Sequence, residues 1–162
     1  MKEKILVTGG CGYVGQALLE SLAKDFEVTV VDLCIYGENQ VQDINLIKED
    51  ISNATPSWFE GVTTVIHLAG ISNDPIADTF PHANYVVNAA GTAYLAEVAK
   101  RCGVKKFIFP STCSVYGYIS HEADELENCK PSFAYGISKL MAEKALFALA
   151  GEDFKPVILR KG

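Results

Sequence analysis

The 162-residue chain lacks most of what would send a protein to a membrane, a nucleic acid or an oxidising compartment. No apolar run approaches the roughly 20 residues that cross a bilayer. The opening Met1-Lys2-Glu3-Lys4 leads straight into a strand pattern, without the apolar core of a signal peptide. Basic excess is missing too: 14 Lys and Arg stand against 20 Asp and Glu, mixed along the chain, for a net charge of −6. That balance excludes docking on nucleic acid or an anionic membrane by bulk electrostatics. The five cysteines, Cys11, Cys34, Cys102, Cys113 and Cys129, are odd in number and show neither a CxxC pair nor nearby paired histidines. Free thiols in a reducing cytoplasm are expected, with no metal site. Repeats, low-complexity tracts and linker-like stretches are absent. What remains is 49% apolar residues, enough for the core of one domain over residues 1–162.

Short β-branched runs alternate with longer helical segments. Ile5-Leu6-Val7-Thr8 is continuously apolar, as a strand buried on both faces requires. A helix is expected over Tyr13–Ala23, a second strand at Val28–Asp32, a third over Leu46–Ile51 and a fourth over Val62–Leu68. A long helix over His82–Cys102, a fifth strand at Lys105–Phe109, a helix over Tyr135–Ala150 and a sixth strand at Val157–Leu159 complete the pattern. Strands alternating with helices imply βαβ units, hence an α/β fold with a doubly wound parallel sheet in the order 3-2-1-4-5-6. The helices at 82–102 and 135–150 are apolar around most of their circumference. Either a second subunit or a further part of the protein covers them, with a homodimer through both helices as one solution, or the packing within the domain is crowded.

The run LVTGGCGYVG sets Gly9, Gly12 and Gly15 in a G-x-x-G-x-x-G spacing between the first strand and the first helix. Glycine is needed where backbone turns tightly, meets a pyrophosphate, or lets helix and strand touch. The helix start then offers N–H donors and a positive dipole end to phosphates. Asp32 ends the second strand at the place where a carboxylate takes the adenosine ribose hydroxyls and repels a 2′-phosphate. No arginine stands close by to reverse that preference, so NAD is expected over NADP.

Tyr135 and Lys139, in YGISK, are spaced i and i+4, about 5–6 Å apart at Cβ on one helix face. An ammonium beside a phenol favours the phenolate, which predicts a Tyr135 base active near neutrality. Lys139 is also in reach of the nicotinamide ribose. Thr112, in PSTCSVYG at the carboxyl end of the fifth strand, supplies a hydroxyl for the same substrate oxygen.

With these motifs in order along the chain, it resembles the extended short-chain dehydrogenase/reductase family, in its NAD-dependent nucleotide-sugar epimerase/dehydratase branch. TGGCGYVG, VVDL, EDI, HLAG, NAAGT, PSTCSVYG and YGISK carry the resemblance over essentially the whole chain. It implies that Gly9, Gly12, Tyr13, Val14, Gly15 and Asp32 hold the dinucleotide, with Asp50 and Ile51 beside the adenine. Leu68, Ala69 and Gly70 would pass the cofactor, Ile71–Pro75 would lie by the substrate or nicotinamide, and Asn88 would support the site. Thr112, Tyr135 and Lys139 would form the catalytic set. In the family's dehydratases Asp-Glu follows the hydroxyl residue; here Cys113 and Ser114 stand there, which disfavours elimination. Members also continue past the motif Leu159-Arg160 into a substrate-binding domain, so this chain is expected to be their cofactor half, a fragment or a natural half-length form. The expected activity is a UDP-sugar 4-epimerase, cytoplasmic and acting on a nucleotide sugar. Its alternatives are a sugar-nucleotide reductase or dehydrogenase and a non-catalytic NAD-binding module. His67, His82, His121, Trp58 and Phe59 read as structural, and Glu122–Glu127 as a solvated loop.

Overall fold

Six strands form one parallel sheet, in the order β3-β2-β1-β4-β5-β6, in the computed structural model, which describes residues 2–38 and 41–162. Met1, part of the signal-peptide reading, lies outside the described residues. The strands are β1 (Glu3–Thr8), β2 (Phe26–Asp32), β3 (Ile44–Lys48), β4 (Val62–His67), β5 (Lys106–Thr112) and β6 (Lys155–Lys161). Both sheet faces carry a core. Ile5, Val7, Val28 and Val30 pack with Leu19 of α1 (Tyr13–Asp25) on one side. Leu6, Val65, Phe107 and Phe109 meet Leu95, Ala96 and Ala99 of α4 (Thr92–Arg101) and Ala142 and Leu146 of α5 (Ala134–Leu149) on the other. Strands apolar on both faces follow from that double cover, and each buried Leu or Phe contributes roughly 1.5–3 kcal/mol by leaving water.

The strand order agrees with the sequence reading, while several element boundaries differ. β3 starts at Ile44, and Ile51 instead opens a 3-10 turn (Ile51–Asn53) whose first N–H groups Asp50 caps, accepting from Ser52 N at 2.8 Å. β5 and β6 run further than their β-branched centres, pairing Pro110 with Leu159 and Thr112 with Lys161. The long helix at 82–102 is composite: α3 (Pro81–Asn84), a π-helical segment (Tyr85–Gly91), then α4. Apolar periodicity near 3.6 does not register a widened turn. A further short helix, α2 (Asp74–Thr79), precedes α3 and was not anticipated. Val86, Tyr94, Met141 and Phe147 are exposed on the two long helical elements. Among the described residues no helix is long and apolar enough to cross a membrane.

After β3 the chain crosses to the far side of β1 and the winding reverses. β1 therefore lies between β2 and β4, and a crevice opens where the connections leaving β1 and β4 run to opposite faces of the sheet.

Candidate functional site

At that crevice β1 ends in Gly9, which has φ +72 and whose missing Cβ would come within 2.4 Å of Ala69 N. Only glycine allows β1 and β4 to approach so closely there. The turn is pinned by Gly9 N donating to Val31 O at 2.9 Å and Leu68 N donating to Thr8 O at 2.9 Å. α1 begins after Gly12 without a side-chain cap. Its first-turn N–H groups have no intrahelical partners, and they sit at the positive end of the helix dipole. A cleft of about 560 Å³ starts here, with Gly9, Gly12, Tyr13, Val14 and Gly15 on one wall, Leu68 and Gly70 along it, and Tyr135 and Lys139 beyond. An uncapped helix start above a glycine cradle is a donor set suited to a diphosphate.

The remaining anticipated residues lie off the cleft wall. Asp32 closes β2, where Oδ2 accepts from Cys11 N at 3.0 Å and Oδ1 from Cys34 N at 2.7 Å. Each oxygen keeps a further lone pair, so the carboxylate that fixes the loop retains acceptor capacity. Asp50 is spent partly on its 3-10 turn, and Ile51 is buried against Gly91. Ala69 N donates to the Thr8 hydroxyl at 3.3 Å. Thr112 is buried and its Oγ1 accepts from Ser114 N at 3.1 Å, leaving its hydroxyl proton available for donation.

At the other end, Gly136 lets α5 press on the turn after β5: a Cβ there would meet Ser114 O at 2.6 Å. Tyr135 is partly buried and Lys139 buried, its Nζ 3.9 Å above the Phe109 ring centroid. Burial, then the Lys161 charge, push the Lys139 ammonium down to about 7, against an upward pull from Glu143. The Tyr135 phenol moves up from its ordinary value, because it is desolvated and lies near the Asp74 carboxylate and Cys113. This differs from the lowered phenol read from the i, i+4 spacing. The reason is burial: a desolvated ammonium gives up its proton more readily, so it offers the phenol little help.

Sequence reasoning named Asn88 as a support of the site but missed its partners Asn84 and Ser138 beneath Tyr135. Asn88, in the π-helical segment, accepts from Ile71 N and donates to Ile71 O, both at 2.8 Å, and donates to Asn84 Oδ1 at 2.8 Å. Ser138 Oγ donates to Asn84 Oδ1 at 3.0 Å, and Asn84 Nδ2 donates to Ala134 O at 3.0 Å. One buried amide network thus ties the loop after β4 to the first turn of α5. π-Segments concentrate at functional sites, and a run such as NAAG carries no signal that would reveal one. Asn88→Ala is expected to weaken ligand binding in the cleft at least tenfold, read by calorimetry, through release of the Ile71 loop.

One more buried polar group stands behind the cleft, His67. His67 sits between Thr8 Oγ1, 2.6 Å from Nδ1, and Thr92 Oγ1, 2.8 Å from Nε2. Burial, then the Lys139 charge, hold its pKa down to about 3, so it stays neutral, a structural residue as the sequence reading has it. The unfolded chain takes that proton near pH 6.5, so stability is full above that value. It is lost as pH falls toward 3, by about 1.4 kcal/mol per unit. Urea midpoints should track this slope, and His67→Gln should flatten it.

UDP-glucose 4-epimerase of Erwinia amylovora is 32% identical over 178 residues, covering 96% of this chain and 52% of that protein. The solved UDP-Glc/GlcNAc 4-epimerase of Campylobacter jejuni is 31% identical with a TM-score of 0.91, over 98% of this chain and 53% of that one. UDP-N-acetylglucosamine 4-epimerase from Methanobrevibacter ruminantium M1 is 28% identical, also with a TM-score of 0.91, over 99% of this chain and 55% of its own. The chain thus spans about half the length of the relatives it matches. Residues 5–161 match the model of the NAD dependent epimerase/dehydratase family, and to that family the chain belongs.

Proposed function

We propose that the chain is the NAD-binding and catalytic half of a nucleotide-sugar 4-epimerase, acting on a UDP-sugar. The observation that carries this is the continuous cleft from the uncapped start of α1 to Tyr135 and Lys139. In this reading the glycine loop and α1 hold the NAD pyrophosphate, Asp32 takes the adenosine ribose, and Asp50 and Ile51 border the adenine. Leu68, Ala69 and Gly70 run beside the cofactor, and Lys139 reaches its second ribose. NAD held there would supply a reversible hydride acceptor for the sugar carbon.

Tyr135 removes the proton from the sugar hydroxyl while Thr112 donates a hydrogen bond to the same oxygen. Tyr135 and Lys139 share one helix face, and the first proton to leave this pair comes off Lys139, whose ammonium burial holds down to about 7. The form lacking one proton is the active one. With Lys139 near 7, turnover should rise as pH increases through about 7 and fall below it. Cys113 and Ser114 offer no carboxyl acid or base, which favours epimerisation over elimination. The protein is read as cytoplasmic, and as a homodimer through α4 and α5, where exposed Tyr94, Met141 and Phe147 support such a contact. Phe147→Glu should then yield a monomer by light scattering.

The decisive experiment is calorimetric titration with NAD followed by a UDP-sugar panel read by NMR. Binding with 4-epimer formation is expected. Binding without turnover would instead favour a non-catalytic NAD module, a reading the half-length coverage of relatives keeps in play. Asp32→Ala is expected to weaken NAD at least tenfold and to narrow discrimination against NADP, since the charge that repels a 2′-phosphate is gone.

A further inference from the structure

The fold brings together two thiols that lie 23 residues apart in sequence. Cys11, in the glycine loop, and Cys34, two residues past β2, have their sulfurs 3.7 Å apart, and both are buried. One carboxylate fixes both: Asp32 accepts from Cys11 N through Oδ2 and from Cys34 N through Oδ1. Cys34 is held at φ 55, in the left-handed region that is costly for a residue other than glycine. Cys11 lines the cleft, so a small solute reaches the pair from the side where the adenosine half of a dinucleotide would lie.

We propose that Cys11 and Cys34 are a redox site whose disulfide closes the adenosine end of the cleft to NAD. The proposal rests on the reading of this loop as the NAD cradle. The oxidant is a hydroperoxide such as hydrogen peroxide. The Cys11 sulfur attacks one peroxide oxygen, the O–O bond breaks, and a sulfenic acid and one water form. The Cys34 sulfur then attacks the sulfenic sulfur, forming the S–S bond and expelling the hydroxyl as a second water. Two thiols and one peroxide thus give one disulfide and two waters, with two electrons passing to the peroxide. A dithiol reductant reverses the change.

Bond formation draws the sulfurs from 3.7 Å to about 2.05 Å. The glycine loop has little slack to absorb that movement, because Gly9 already sits against the Ala69 backbone. Cys11 and the Asp32 carboxylate must shift instead, which displaces the groups that would hold pyrophosphate and ribose. Burial first, then the neighbouring Cys11 and the Asp32 charge, raise the Cys34 thiol to about 11. Cys34 is therefore a thiol rather than a thiolate at neutral pH, which slows its attack, so oxidation needs a sustained oxidant.

The test treats the reduced chain with hydrogen peroxide, blocks remaining thiols by alkylation and maps the peptides by mass. NAD affinity is titrated before and after. A Cys11–Cys34 linked peptide is expected, with NAD binding weakened at least tenfold and restored by dithiothreitol. Cys34→Ser, compared with its own reduced state, should keep its affinity under peroxide. Both cysteines remaining alkylatable while exposed Cys113 oxidises would overturn the proposal, as would a linked protein binding NAD within twofold of the reduced one. A reduced chain that binds no NAD removes the cofactor reading and the closure with it, and the linked peptide is still decided independently by mass.

Discussion

Tyr135→Phe is expected to lower turnover at least about 10²–10⁴-fold, the range that positioned proton transfer supplies. NAD affinity should stay within threefold of the parent. The ring keeps its packing because only the hydroxyl leaves, and the amide network under α5 runs through the backbone of Ala134 and Ile71 rather than through the phenol. Single-turnover conversion of the UDP-sugar, followed by NMR, separates the chemical step from binding. Full conversion in the variant would remove Tyr135 from the reaction. Lost NAD binding would show instead that the residue is structural. The raised phenol makes the test sharper: in the proposed mechanism Tyr135 acts as a base only together with Lys139, whose ammonium is held down to about 7. Lys139→Met should therefore also abolish the rise of turnover with pH.

Glu143→Ala should cost about 3 kcal/mol of stability, toward the lower end of the range for breaking a buried ion pair. Glu143 is 1% exposed and accepts from Arg160 Nη2 at 2.7 Å, from Arg160 Nε at 3.2 Å, and from the Ser111 hydroxyl. Arg160 in turn donates to Tyr116 OH at 3.2 Å, and the Glu143 bonds hold its guanidinium above its ordinary range. Removing the carboxylate leaves a largely buried guanidinium and a buried serine without their acceptor. The cluster ties α5 to β5 and β6, so the loss should appear as a lower urea midpoint. The double variant Glu143→Ala/Arg160→Met should recover much of it, because no unpaired charge remains. A single-variant loss below about 1 kcal/mol would mean that water or another acceptor replaces Glu143 readily.

The sheet was legible because its cause is local. Apolar runs such as ILVT and VTVV mark strands covered on two sides, and glycine spacing marks the first crossover. The cleft was legible where chemistry is written in motifs: the glycines, Leu68, Gly70, Tyr135 and Lys139 all line it. The protonation balance was not, because spacing predicts that two side chains share a face but not that Lys139 is desolvated by burial and faces Lys161. Ser138 and Asn84 were invisible for a similar reason. Their roles come from contacts across 54 positions, and neither residue type announces a buried network. Ser111 was passed over for its neighbour Thr112, since two adjacent hydroxyls at a strand end look alike until the strand's pleat sends them to opposite sides.

The widened turn at Tyr85–Gly91 gives this helix a fixed residue count. Deleting Ala90 would restore ordinary winding and rotate everything before it by about 100° relative to α4. Leu95 and Ala96 could then keep their seats in the core only if Asn88 swung away from Ile71. Single-residue deletions here should leave a folded sheet with a detached loop, whereas substitutions on the same outer surface, at Ala90 itself, should pass almost unnoticed.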